Sequence, residues 1–207
     1  MCGIAGWVDY RGSVRTQAAT AEAMGETLSC RGPDASGSFF SDCAALVHRR
    51  LAVVDPAGGA QPMVRSPAGN TFAVTYNGEL YNAPELRSEL ETRGWHFQTH
   101  SDTEVLLLAY IQWGPDCLER LNGIFAFAIW NEAERTLFLA RDRLGVKPLF
   151  YADLCDGFLF GSEPKALLAH PRVRPVVDAE GLAEIFALGP ARTPGHGVYK
   201  QLREVKP

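Results

Sequence analysis

A cysteine at position 2, directly behind the initiator and ahead of Gly3, is small enough to permit removal of Met1. The chain would then begin with a thiol and a free α-amine on the same residue. An ordinary α-amine and an ordinary thiol both titrate within about two units of neutrality. Such an amine can take the thiol's proton and later return one to departing ammonia, so one residue serves as nucleophile and base. Taken alone, Cys2 reads more readily as a small buried hydrophobe. Asn77-Gly78 follows an alternating run and precedes Glu79-Leu80-Tyr81, which is the signature of a tight hairpin turn. The chemical alternative pairs the Asn77 amide with the Gly78 N–H to hold an oxyanion. His48-Arg49-Arg50-Leu51 sets two arginines at a strand boundary, where either is a solvated charge or a fork for a substrate carboxylate. Asp102 is either a helix cap or a carboxylate facing an ammonium. Arg141 to Tyr151 reads as a salt-bridged turn.

Other chemistries are excluded more simply. Cys2, Cys30, Cys43, Cys117 and Cys155 are odd in number, widely spaced and without a Cys-x-x-Cys pair, which is no disulfide framework. The five histidines form no His-Glu-x-x-His or Cys/His cluster, so no metal site is expected. His96 and His100 fall on one side of a strand expected over 95–99. No glycine-rich phosphate cradle is present, and ATP has no visible site.

The elements that must position these groups follow from periodicity and punctuation. Ile4–Val8 reads as a buried strand and Thr16–Leu28 as a helix broken by Gly32-Pro33. Strands are expected over 38–40, 44–48 and 51–54, a loop over 55–69, and a strand from Thr71 into Asn77-Gly78. Ala83–Arg93 reads as a helix with Pro84 in its first turn and Gly94 at its end. A helix over 103–113 is capped by Asp102, and a short turn follows at 117–121. Strands over 124–130, 136–140, 149–152 and 158–161 recur at meander spacing, and helices over 163–170 and 179–188 follow. This order lacks regular βαβ alternation and argues for α+β with mainly antiparallel sheets.

With 207 residues and 46% hydrophobic content, the chain forms one large domain, or one domain plus the opening of another. A net charge of −4 gives no electrostatic reason to expect nucleic acid or anionic lipid as partner. The longest apolar stretches reach about half a membrane span and no secretory signal is seen, so a cytoplasmic protein is expected.

Met1-Cys2-Gly3-Ile4-Ala5-Gly6, Arg31-Gly32-Pro33-Asp34, His48-Arg49-Arg50-Leu51, Gly59-Ala60-Gln61-Pro62-Met63, Tyr76-Asn77-Gly78-Glu79-Leu80-Tyr81-Asn82, Ser101-Asp102-Thr103-Glu104, Leu121-Asn122-Gly123-Ile124-Phe125-Ala126 and Arg141–Tyr151 occur in one order. That series closely resembles the N-terminal glutaminase domain of glutamine-dependent asparagine synthetases, which are class II glutamine amidotransferases. The resemblance runs from Cys2 to about residue 189. The segment with Arg192-Thr193-Pro194-Gly195 and Val198-Tyr199-Lys200 is similar to that family's entry into its synthetase domain. Residues 1–189 are thus expected to be the glutaminase domain, and 190–207 a linker and the start of a missing domain.

The resemblance implies an α+β four-layer αββα sandwich of two mainly antiparallel sheets, of the N-terminal-nucleophile hydrolase type. It implies Cys2 as nucleophile and Asn77 with Gly78 as the oxyanion pair. Arg50 matches the residue that holds the glutamine α-carboxylate, with Leu51 and Val53 lining the same segment. Glu79 and Asp102 match the acidic positions that meet the α-ammonium, and Arg31 the family's arginine near the nucleophile. No cofactor is implied for this fragment; ATP and Mg belong to the synthetase domain, where ammonia would convert aspartate to asparagine. The implied partners are L-glutamine and the C-terminal synthetase domain of the same chain. The sequence leaves oligomeric state open, a homodimer included. Two other readings remain at this level. One is an amidotransferase feeding a different carboxylate in secondary metabolism, and the other a non-catalytic docking module.

Overall fold

A computed structural model describes the chain except for Val54, Pro56, Ala57, Pro190 and Arg192. Strand β1 (Gly3–Asp9) is followed by helix α1 (Ala18–Glu26), β2 (Ala35–Phe40), β3 (Ala44–Arg50), the short β4 (Met63–Arg65) and β5 (Phe72–Leu80). Helices α2 (Ala83–Thr92) and α3 (Asp102–Trp113) precede β6 (Gly123–Asn131), β7 (Thr136–Arg141), β8 (Phe150–Asp153) and β9 (Gly157–Gly161). The short α4 (Pro164–Leu168), α5 (Ala179–Leu188) and β10 (Arg203–Glu204) complete the order.

Antiparallel pairing builds a six-stranded sheet, β10-β8-β9-β1-β3-β2, and a four-stranded sheet, β4-β5-β6-β7. Period-2 alternation sorts their side chains into layers. From the six-stranded sheet, Ala5, Trp7, Ala45 and Val47 pack outward against Ala21 and Met24 of α1 and Leu167 of α4. From the four-stranded sheet, Val74, Tyr76, Phe127 and Ile129 pack outward against Leu86 and Leu90 of α2 and Leu106 of α3. Between the sheets lie Ile4, Val8, Ala44, Leu46, Ala73, Ala126, Ala128, Trp130 and Phe160, where many small side chains let the sheets approach. The architecture is the αββα sandwich expected of N-terminal-nucleophile hydrolases. Among the described residues no helix is long and apolar enough to cross a membrane.

The structure corrects several sequence expectations. Residues 51–53 form no strand, and Val54 lies outside the described residues, as do Pro190 and Arg192 of the expected linker. The loop expected over 55–69 contains β4, an edge strand too short, between Pro62 and Pro67, to show as a periodic run. The strand expected over 95–99 is irregular: the Gln98 and Thr99 N–H groups are taken by the Glu104 carboxylate (2.9 and 2.7 Å) instead of a neighbouring strand. His96 and His100 are accordingly exposed on a coil. Asp102 is not the cap of α3. Ser101 is, its hydroxyl accepting from the Thr103 N–H at 3.2 Å, and Asp102 is the first helical residue. The four late strands are two hairpins in different sheets, β6–β7 and β8–β9, because the segment after Arg141 crosses from one sheet to the other.

Candidate active site

The same alternation that fills the inter-sheet layer supplies the groups at its end. On β1, Ile4 and Val8 face inward, and Cys2 continues their phase just before the strand. On β3, Ala44 and Leu46 face inward, followed by His48 and Arg50. On β5, Ala73 faces inward, followed by Thr75, Asn77 and Glu79. Three neighbouring strand ends therefore deliver a thiol, a guanidinium, an amide and a carboxylate to one place. They line a cavity of about 160 Å³, together with Leu51, Val53, Gln61, Tyr76, Gly78, Ser101, Asp102 and Lys147. All the residues singled out from the sequence as a site, Cys2, Arg50, Leu51, Val53, Asn77, Gly78, Glu79 and Asp102, thus meet at one cavity.

The thiol is held by backbone. Cys2 Sγ lies 3.4 Å from the Leu51 N–H, which donates to it, and 3.5 Å from the Leu51 carbonyl. Arg31 braces the same residue from behind: its Nε donates to the Cys2 carbonyl (3.0 Å) and its Nη1 pairs with Glu163 (2.8 Å). Gly32 is required beside it, since a Cβ there would sit 2.2 Å from the Arg49 carbonyl. Met1 is more than half exposed at the mouth of the cavity.

Asn77-Gly78 is not a turn. β5 runs through it in register from Phe72 opposite Asn131 to Leu80 opposite Gly123, with Asn77 opposite Ala126 and Gly78 opposite Phe125. The reversal is deferred past Tyr81, where the Asn82 side chain accepts from the Asn122 N–H (2.9 Å) and donates to the Arg120 carbonyl (2.8 Å). A Cβ on Gly78 would fall 2.4 Å from the Ile124 carbonyl oxygen, so only glycine fits this strand position.

The ladder also decides where the Gly78 N–H points. Phe125, its cross-strand neighbour, turns its carbonyl and N–H to the backbone N–H and carboxylate of Asp142 (2.8 and 3.2 Å). Gly78 therefore faces the opposite edge of β5, like Tyr76 and Leu80. On that edge the Tyr76 N–H donates to Gln61 Oε1 (2.7 Å) and the Leu80 N–H to Asp102 Oδ2 (3.1 Å). The Gly78 N–H between them meets no acceptor among the described residues. Next to it, the Asn77 Nδ2 is buried and without a partner. A buried donor is nearly always satisfied, so the idle Asn77 Nδ2, beside the half-buried Gly78 N–H, marks a place prepared for an acceptor.

The charges around the cavity are arranged unequally. Arg50 is buried and donates through Nη2 to the Asp55 carbonyl (2.7 Å). Asp102 Oδ2 also accepts from the Tyr76 hydroxyl (2.8 Å). Burial raises the Asp102 carboxyl above its usual range; the Leu80 N–H, Tyr76 and Thr103 bonds oppose this, and Glu79 adds to it. Burial, then the neighbouring Asp102, pushes the Tyr76 phenol well above its ordinary value. His48, between the sheets with Nδ1 3.1 Å from Thr75 Oγ1, is lowered to about 3 by burial and by Arg50. Gln61 and Lys147 belong to the cavity although composition and spacing gave neither a role. Gln61 stood inside a quoted motif, and Lys147 inside the charged turn after Arg141.

The sequence profile of the glutamine amidotransferase domain family matches residues 1–207. Among curated proteins the chain is 54% identical over 207 residues to asparagine synthetase [glutamine-hydrolyzing] 3 of Bacillus subtilis, covering all of this chain and 34% of that protein. It is 40% identical over 169 residues to asparagine synthetase B [glutamine-hydrolyzing] of Escherichia coli, covering 81% of this chain and 30% of that protein. The chain therefore spans about a third of the length of these relatives. Among solved structures it is similar to the allosteric regulatory enzyme of purine biosynthesis, with TM-score 0.66 and 27% identity over 81% of this chain and 43% of that one. Glutamine phosphoribosylpyrophosphate amidotransferase from B. subtilis shares the fold at TM-score 0.62 and 23% identity, over 80% of this chain and 43% of that one.

Proposed function

Because the chain belongs to the glutamine amidotransferase domain family, we propose that it hydrolyses the side-chain amide of L-glutamine and passes the ammonia to a synthetase domain of the same polypeptide. One observation carries this reading. The Cys2 thiol shares a cavity with the idle donors of Asn77 and Gly78. After Met1 is removed, the Cys2 amine takes the thiol proton. The thiolate adds to the amide carbonyl, forming a C–S bond as the π pair moves onto oxygen, where Asn77 Nδ2 and Gly78 N–H receive it. Collapse breaks the C–N bond, the Cys2 ammonium returns its proton, and ammonia leaves a cysteinyl thioester. Water, deprotonated by the freed amine, then releases glutamate.

Substrate placement follows from the cavity charges. Arg50 holds the α-carboxylate, Glu79 and Asp102 meet the α-ammonium, and Leu51 and Val53 cover the chain between. This leaves the amide at the sulfur. The chemistry asks for no cofactor in this chain; ATP and Mg enter with the synthetase domain, which would amidate aspartate to asparagine. The names of the B. subtilis and E. coli relatives support aspartate as acceptor. Intact Cys2, Arg50 and Asn77 favour an active glutaminase over a docking module. The five free cysteines support a cytoplasmic setting. The test is glutamate release from glutamine. Cys2→Ala should abolish release with the melting temperature unchanged, and turnover well above background in that variant refutes Cys2 as nucleophile.

A further inference from the structure

Lys147 brings a second cation, besides Arg50, to the wall of the Cys2 cavity. The residue is 9% exposed, lines the Cys2 cavity and forms no salt bridge among the described residues. Lysine ordinarily sits on an exposed stem with its ammonium in water, so a lysine this little exposed at a cavity wall is unusual. The loop that carries it is built to hold it there. The Asp142 carboxylate accepts from the N–H groups of Leu144 (3.1 Å), Val146 (2.9 Å) and Lys147 (3.0 Å). The Arg141 guanidinium donates to the carbonyls of Gly145 (2.6 Å), Lys147 (2.6 Å) and Val205 (2.8 Å). Both backbone polar groups of Lys147 are thereby fixed.

Its position relative to the reacting groups follows from one shared atom. Asp142 Oδ2 accepts from Lys147 N–H and from Phe125 N–H, and Phe125 stands directly opposite Gly78. Lys147 therefore enters the cavity beside the Asn77–Gly78 stretch, whereas Arg50 enters from β3 beside Leu51 and Asp55. Of the acids facing the same space, Glu79 is exposed, and Asp102 Oδ2 is occupied by Tyr76 and Leu80.

We propose that Lys147 is a further catalytic residue of this site, its ammonium stabilising the oxygen that becomes negative as the Cys2 thiolate adds to the substrate carbonyl. The proposal rests on the glutaminase reading. Lys147 gives up no proton in the step; its charge favours the oxyanion over the neutral carbonyl and so lowers the barrier with little effect on ground-state binding. The experiment uses Lys147→Met and Lys147→Arg in the intact protein, with glutamine as substrate and glutamate γ-semialdehyde as inhibitor. The aldehyde adds to Cys2 and puts its oxygen where the oxyanion forms.

Lys147→Met should lower kcat by about 10–100-fold and change KM by less than about threefold, the pattern of a group that acts only in the transition state. Aldehyde affinity should fall by the same factor as kcat. Lys147→Arg should recover most of both, and Lys147→Met should melt no lower than the parent, because no salt bridge among the described residues is lost. A raised KM at unchanged kcat, unchanged aldehyde affinity, or a lowered melting temperature as the only effect overturns the role. If the parent protein neither hydrolyses glutamine nor binds the aldehyde, the glutaminase reading itself fails, a result distinct from failure of the Lys147 variants alone.

Discussion

Asn77 combines two properties that ordinarily conflict, since its amide is buried and its Nδ2 has no partner. Removing an idle donor leaves no other group stranded, so Asn77→Ala should cost little stability. It should still lower kcat by about 10²–10³-fold, the usual worth of one oxyanion donor. Steady-state kinetics beside a thermal melt separates the two effects, and a variant that loses stability and keeps kcat contradicts the assignment. At Asp102 the prediction concerns pH. Its carboxyl is raised by burial, so it takes up a proton at higher pH than an ordinary carboxyl as pH falls. If the carboxylate holds the α-ammonium, KM for glutamine should rise as pH falls through that raised value, and Asp102→Asn should remove the rise. At this scale the cavity was legible through the family resemblance: Cys2, Arg50, Asn77 and Asp102 were named from its motifs, whereas residue type and spacing alone left Arg49 and Arg50 alike. Asn-Gly on its own pointed to a turn, and only the long pairing of β5 with β6 overrules that local preference. Lys147 and Gln61 were not legible as site residues, because contacts distant in sequence bring each into the cavity.

At the scale of elements, strands with clean alternation were readable and irregular connections were not. The segment 95–101 shows why. Its residues look like a strand, yet its backbone donors are spent on a single buried acid. Glu104 accepts from Gln98 N–H (2.9 Å), Thr99 N–H (2.7 Å), Thr99 Oγ1 (2.6 Å) and Arg65 Nη2 (2.6 Å). Burial alone would raise its carboxyl, but the bonds from Thr99, Arg65 and Gln98 outweigh it and hold the group below its usual value. This network fixes the entry to α3, and hence Ser101 and Asp102 at the cavity. Glu104→Gln keeps the shape and loses the charge, and should destabilise the fold by about 1–3 kcal/mol, the cost of weakening bonds to a buried charged acceptor. Chemical denaturation of the variant checks this, and an unchanged midpoint would show that the network does not hold the segment.

At the scale of the whole molecule, two buried histidines set the response to acid. His48 is lowered to about 3 by burial and by Arg50, and His170 to about 4 by burial and by Arg172. In the unfolded chain both would titrate near about 6.5. Below that value the unfolded state binds protons that the folded state refuses, so stability falls as pH drops. The slope approaches about 1.4 kcal/mol per pH unit for each histidine. Carboxyls held below their usual values, Glu104, Asp142 and Glu163 among them, confer stability that is present above about pH 4 and lost beneath it. Thermal melts should therefore begin to decline below about pH 6.5, before the carboxyls held below their usual values titrate. A flat profile between about pH 7 and 5 would contradict the buried neutral state of both rings. The αββα layering was legible as a class from element order and from the family resemblance. The split of β6–β7 and β8–β9 between two sheets was not, because equal spacing does not say which sheet a hairpin joins.

The central claim is that a free N-terminal cysteine faces a glutamine-shaped cavity. Intact-mass measurement of the purified protein, before and after treatment with 6-diazo-5-oxo-norleucine, tests it most directly. The account predicts a chain lacking Met1 that gains one adduct, mapping to Cys2. A chain that begins at Cys2 and remains unlabelled under the same treatment would contradict it.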